Sequence, residues 1–207
     1  FLKNFNKKIS IGIEPCSNVE KITKNKKFNT IPKYWNTKLA KDILKKYGNI
    51  DLIYSANTIS HIKDLNDVFK AINLVLSKNG VLIIEDPSLL ECLKRNTYDQ
   101  FYNEHIYVFS YLSLKNILKK HNLEIYKIEN LDIHGGSNRY FIKRFENKIK
   151  LQNSVIKQKK REIKYGLEKK STYFKFKRRI EKSKKKLISI FRYCKSKNKK
   201  IIGYGAT

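Results

Sequence analysis

The sequence predicts an α/β fold, a doubly wound sheet with helices packed on it, and three observations predict it. Short apolar, β-rich runs recur at 9–13 (ISIGI), 50–55 (IDLIYS) and 81–85 (VLIIE). Stretches with helical periodicity separate them, and turn or capping residues stand at the joints. Strand, helix, strand, helix, strand is the order such a sheet requires.

Taken in order, the run at 9–13 stops at Glu14-Pro15, because proline cannot continue a hydrogen-bonded ladder. Residues 17–25 read as a helix with Ser17 as cap, and 36–47 as a second, apolar at Leu39, Ile43 and Leu44. The strand at 50–55 follows. Helix 64–77 places Leu65, Val68, Ile72, Val75 and Leu76 on one face, and Asn79-Gly80 is expected to end it. The continuous apolar run 81–85 suits a strand covered on both faces. After a loop at Asp86-Pro87 come a helix near 88–95, the segment 98–110, a helix at 113–121 and a strand at 123–131. A turn at His134-Gly135-Gly136-Ser137 leads to the alternating return strand 139–142, a hairpin at the far edge of the sheet. From about 145 to 197 the chain reads as a lysine-rich helix pair whose recurring apolar residues pack on something. Residues 200–206 read as a strand entering a glycine-rich turn.

The 207 residues carry a formal charge of +28. Most of it is local, since 143–200 holds 24 basic and 4 acidic side chains. Lysine, asparagine and isoleucine abundance fits a compositional drift, with charge as its by-product. Aromatics interleave with the lysines at Tyr173, Phe174, Phe176 and Phe191, but no RNA-binding signature accompanies them, so no specific nucleic-acid partner is expected. No stretch approaches eighteen uninterrupted apolar residues and the first residues lack a signal-peptide pattern, so no membrane partner is expected either. Cys16, Cys92 and Cys194 are odd in number and far apart. They argue against a disulfide framework or a metal knuckle and suit a reducing cytoplasm. The chain has no methionine and stops at Gly205-Ala206-Thr207, which reads as a fragment cut at both ends.

Four blocks in one order carry a resemblance: GIEPCSNV at 12–19, DLIYSANTISHIKDLND at 51–67, YDQFYNEHIYVFS at 98–110 and HGGSNRYFI at 134–142. Together they resemble the S-adenosylmethionine-dependent C-methyltransferases that act on nucleotide-linked keto-sugars in deoxysugar biosynthesis. The resemblance implies a partial Rossmann-like class I methyltransferase domain at 1–144, a helical connector at 145–199 and the start of a second Rossmann-like domain at 200–207. It also implies that an N-terminal zinc module and the glycine-rich cofactor loop lie outside the fragment, so that zinc belongs only to that absent module. The sequence departs from the family pattern at Asn103, commonly a second histidine, and at Val108, commonly aromatic.

What the resemblance implies about residues follows the chemistry. For S-adenosylmethionine, Glu14 beside Pro15 would accept the ribose hydroxyls, Trp35 would flank the adenine or pack in the core, Ala56 and Asn57 would lie near the methionine end, and His61 would face the same cleft or cap the next helix. C-methylation requires a proton to be removed next to a carbonyl and the enolate oxygen to be held. His105 is the candidate base, an imidazole's ordinary pKa of about 6.5 being suited to that task. Tyr102 would donate to the oxyanion and Glu104 would steady the site or bind a sugar substituent. In an extended chain 102 and 104 would face away from 105, so a bend is needed to unite them. His134, Gly135, Gly136 and Ser137 would meet a sugar hydroxyl or diphosphate, and Arg139 a phosphate. Two other readings remain: an O- or N-methyltransferase of another small molecule, and a basic binding module without catalysis.

Overall fold

The computed structural model describes residues 10–203. Two sheets form. In the smaller, β1 (Ile11–Ile13) runs parallel to β2 (Asn29–Ile31), joined by α1 (Ser17–Asn25). The larger has the order β3-β4-β6-β5, with β3 (Ile50–Ala56) parallel to β4 (Leu76–Pro87), and β6 (Ser137–Arg144) antiparallel to both β4 and β5 (Leu123–Leu131). Helices α2 (Thr37–Tyr47) and α3 (Leu65–Val75) flank β3 in sequence, α4 (Leu89–Arg95) follows β4, and α5 (Tyr111–Lys120) precedes β5. The predicted hairpin is present, with β6 inserted between β4 and β5.

Several expected boundaries move for identifiable reasons. Cys16, not Ser17, is the N-cap of α1, and Ser17 is its first helical residue. Helix α3 ends at Val75 because Leu76 already pairs with Ile50 at the base of β3. The next pairing joins Leu52 to Val81, so residues 77–80 form an irregularity inside β4 instead of capping a helix. Gly80 is needed there for close approach, since a Cβ would stand 2.8 Å from Leu76 Cδ1 and 3.0 Å from the Ile50 carbonyl. Asp86-Pro87 is strand, not loop: it pairs with Asn138 and Ser137. Helix α5 begins two residues earlier than expected, at Tyr111, because Ser110 and Ser113 form a capping box. Ile9, in the first predicted strand, lies outside the described residues.

The core forms on one face of the larger sheet. Leu82, Ile84, Tyr140 and Ile142 are wholly buried against Phe69 and Ile72 of α3 and Leu114 and Leu118 of α5. The opposite face is open among the described residues, contrary to the expectation of a strand covered on both sides. Val81 and Ile83 are half-buried and Leu52 is exposed.

Helices α6 (Asn153–Tyr165) and α7 (Lys170–Ser196) make the predicted pair. Glu162 of α6 accepts the Tyr111 and Leu112 N–H groups at 2.8 and 3.0 Å, which satisfies donors of the first turn of α5; burial pushes its pKa up. Phe176 of α7 packs with Leu167 on Leu90 and Leu93 of α4. The expectation that the whole pair packs holds only in part, because Leu187, Ile188, Ile190 and Phe191 on the distal half of α7 are exposed. Residues 199–203 form no strand, having no neighbour to pair with among the described residues; 204–207, the rest of that expected motif, lie outside them.

Candidate active site

The bend that the 98–110 block needs is a turn in which the His105 N–H donates to the Tyr102 carbonyl at 3.0 Å. It folds the two rings together, with centroids 4.3 Å apart and the Tyr102 hydroxyl 3.2 Å from His105 Nε2. On the other side of the imidazole, Nδ1 stands 2.8 Å from the Gln100 carbonyl. A carbonyl only accepts, so Nδ1 carries the proton, and in the neutral ring the Nε2 lone pair takes the Tyr102 hydroxyl. His61 completes the group, its ring edge-on to His105 at a centroid distance of 4.8 Å. Glu104 is the exposed third residue of the turn. The structure therefore unites Tyr102, His105 and His61.

The strand-end residues are distributed over both sheets. Glu14 follows β1, donates its N–H to the Ile31 carbonyl at 3.1 Å and accepts the Cys16 N–H on Oε1 at 2.8 Å, with Pro15 exposed beside it. Among the described residues Oε2 has no hydrogen-bond partner, which leaves it able to accept a hydroxyl. Ala56 closes β3 opposite Glu85, and Asn57 follows at φ 49° with its N–H donated to the Glu85 carbonyl at 2.8 Å. Trp35 is half-buried, and its indole N–H donates to the Val68 carbonyl of α3 at 3.3 Å. Its polar atom is spent on the core.

The turn before β6 has positive φ at His134, Gly135 and Gly136, at 50°, 76° and 110°. A Cβ on Gly136 would lie 2.6 Å from Glu91 Cβ, and one on Gly135 would lie 3.0 Å from Thr97 Cγ2. The glycines thus let the turn press on α4 and on the segment leading to Gln100, the residue that holds His105. Ser137 donates its hydroxyl to the Ile133 carbonyl at 3.2 Å. Arg139 is engaged by two carboxylates: Nε and Nη2 lie 2.9 and 2.8 Å from Glu85 Oε2, and Nη1 lies 3.2 Å from Glu129 Oε2. Hydrogen bonding to Glu85, more than any other influence, raises its pKa above the ordinary arginine value.

Sequence reasoning missed Gln100; it set Glu85 and Asp86 at the carboxyl edge of the strand, with helix capping as the plainer role for Asp86. The Gln100 contribution is a backbone carbonyl, which no side-chain pattern signals. Asp86 is 1% exposed and accepts the Ser60 hydroxyl at 2.7 Å. Burial pushes its pKa up to about 7 against the pull of that hydrogen bond. What the sequence did not signal is the Ser60 partner and the burial.

Residues 132–207 match the model of the C-methyltransferase C-terminal domain, and residues 1–128 that of the methyltransferase domain. The C-methyltransferase NovU of Streptomyces niveus is 26% identical over 196 residues, 95% of this chain and 47% of that protein. This chain spans about half the length of NovU. Crystal structures of S-adenosylmethionine-dependent methyltransferases from Anabaena variabilis ATCC 29413 and Clostridium acetobutylicum ATCC 824 share the fold. They have TM-scores of 0.52 and 0.50, identities of 14% and 16%, and cover 70% and 65% of this chain and 71% and 74% of theirs. No helix among the described residues is long and apolar enough to cross a membrane. With the methyltransferase-domain model matching residues 1–128, well over half of its length, the chain belongs to that methyltransferase-domain family, and its Rossmann-like fold is the one shared with the S-adenosylmethionine-dependent methyltransferases above.

Proposed function

We propose that the protein C-methylates a nucleotide-linked keto-deoxysugar in the cytoplasm through an enolate, with His105 as the base. The observation that carries this reading is the Tyr102–His105 pair, in which Nδ1 is anchored on the Gln100 carbonyl and Nε2 presents its lone pair beside a phenol. His105 Nε2 takes the proton next to the substrate carbonyl, and the imidazolium that results keeps its Nδ1–H on Gln100. The Tyr102 hydroxyl, released from Nε2 as that atom is protonated, turns to the enolate oxygen. One catalytic pair then serves both charges of the step.

Glu14 fits the ribose of S-adenosylmethionine, since one of its carboxylate oxygens is uncommitted at the carboxyl end of β1. Ala56 and Asn57, at the corresponding end of β3, fit its methionine part. When bound, S-adenosylmethionine supplies an electrophilic methyl group. The division into a domain at 1–144, a connector at 145–199 and a following domain from 200 belongs to the same reading.

In the full-length enzyme, His105→Ala is expected to lower turnover by about 10² to 10⁴. It should also abolish exchange of the substrate α-proton with deuterated solvent, measured with S-adenosylhomocysteine blocking transfer. Tyr102→Phe should slow that exchange while leaving the base in place. Near-normal exchange in His105→Ala would assign the proton to another group, Glu104 first.

A further inference from the structure

We propose that Asp86 is a positioning residue: through Ser60 it fixes the short turn Ile59–His61, and with it the ring of His61 against His105. This rests on the reading of His105 as the base. The argument begins with the pleat of β4. Glu85 points to the open face and meets Arg139, so Asp86 points to the covered face, level with Asn138 of β6. There its Oδ1 accepts the Ser60 hydroxyl at 2.7 Å, and both residues are 1% exposed.

Ser60 is the joint between this carboxyl and the catalytic turn. Its carbonyl accepts the Tyr107 N–H at 3.1 Å, and the Tyr107 hydroxyl donates to the Lys63 carbonyl at 2.7 Å. The segment that carries His105 is thus stitched to both sides of His61. Ser60 itself has no freedom to slide, because its side chain is held from β4.

The chemistry is costly for a purely structural pin. Asp86 Oδ2 is buried and has no hydrogen-bond partner among the described residues. The groups that act on this carboxyl are Ser60 from the turn, Glu85 from its own strand and Tyr140 from β6. None of them supplies a positive charge. An apolar pair would fill the same space without that penalty. What the Asp–Ser bond adds is direction, since it fixes one rotamer of Ser60 and one height of the turn above the strand end.

The test is made in the full-length enzyme with Ser60→Ala, Asp86→Ala, their double variant and Asp86→Asn, which retains an oxygen for the Ser60 hydroxyl. Ser60→Ala and Asp86→Ala should each lower kcat by as much as about 10²-fold, the loss that a small misplacement of a reacting group can produce, with KM little changed. The double variant should lose no more than either single one, and Asp86→Asn should recover most of the activity. The imidazole resonances of His61 and His105 should shift in both alanine variants and stay near wild type in Asp86→Asn. Either alanine variant that folds yet keeps wild-type kcat and both ring signals overturns the proposal. Ring signals are read without turnover. If His105 proves not to be the base while the rings still move, the catalytic reading falls and the positioning stands.

Discussion

Glu85 and Asp86 are neighbours on β4, yet the pleat sends them to opposite faces of the sheet, where the same functional group has two different fates. On the open face Glu85 lies in a row of paired charges with Arg139 and Glu129, its carboxylate 2.8 and 2.9 Å from guanidinium nitrogens. On the covered face Asp86 has a single neutral donor and no cation, and burial raises its pKa to about 7. Both acids are buried, at 7% and 1% exposure, so the difference teaches that partners, not residue type or burial alone, decide what a strand-end acid does. One is tied into an ion-pair network; the other is a proton-binding group at the edge of the candidate site.

The largest expected effect breaks that comparison by pH. An unfolded aspartate titrates at about 3.9, whereas Asp86 titrates at about 7 in the fold. Between those values the folded state binds more protons than the unfolded one, so stability is fully present below about pH 4 and falls as pH rises toward 7. The gap corresponds to roughly 4 kcal/mol at most. Asp86→Asn should flatten this slope in denaturant titrations across that range. A wild-type protein equally stable at pH 4.5 and 7, with its other carboxylates accounted for, would place Asp86 among ordinary acids.

The two faces should also differ in their apolar side chains. Ile84, wholly buried between α3 and α5, is expected to cost about 2 to 5 kcal/mol when cut to alanine. Ile83, its half-buried neighbour on the other face, has less contact to lose and should cost about 1 kcal/mol. Chemical denaturation of the two variants measures both. Equal losses would mean that the second face is packed as tightly as the first.

This two-sidedness marks where the sequence was legible. The apolar run 123–131 became a strand with the expected bounds, because alternation and a following turn leave little choice. Helix 36–47 needed only its Asn36 cap, which accepts the Leu39 N–H at 2.8 Å. The run 81–85 was harder, since VLIIE is apolar at every position and periodicity cannot tell one covered face from two. Within the candidate site, the Tyr102–His105 partnership was legible as a motif, but the turn that joins the rings and the Gln100 carbonyl that orients them are backbone facts. The glycines at 135 and 136 were legible as a place of close backbone approach; that the approach is to Glu91 and Thr97 was not. Arg139 looked like a phosphate contact, and its two carboxylate partners come from strands 10 and 54 residues away in sequence.

The smallest expected effect sharpens the comparison on the open face. Arg139→Lys keeps a positive charge but replaces a planar fork with a single ammonium, which cannot reach Glu85 and Glu129 in the present geometry at once. Arg139 is about one-third exposed, so water already screens the pair and the expected loss is only about 0.5 to 1 kcal/mol. Salt tells the two faces apart. Raising the ionic strength toward 1 M shortens the screening length to about 3 Å, so the difference between Arg139→Lys and wild type should shrink. The stability difference between Asp86→Asn and wild type at neutral pH should not, because its origin is desolvation in a place that ions do not enter. Denaturant midpoints for both variants at low and high salt supply the measurement. A salt-independent Arg139→Lys loss of 2 kcal/mol or more would show that the whole Glu85–Arg139–Glu129 row, and not only the buried Glu85, is shielded from solvent.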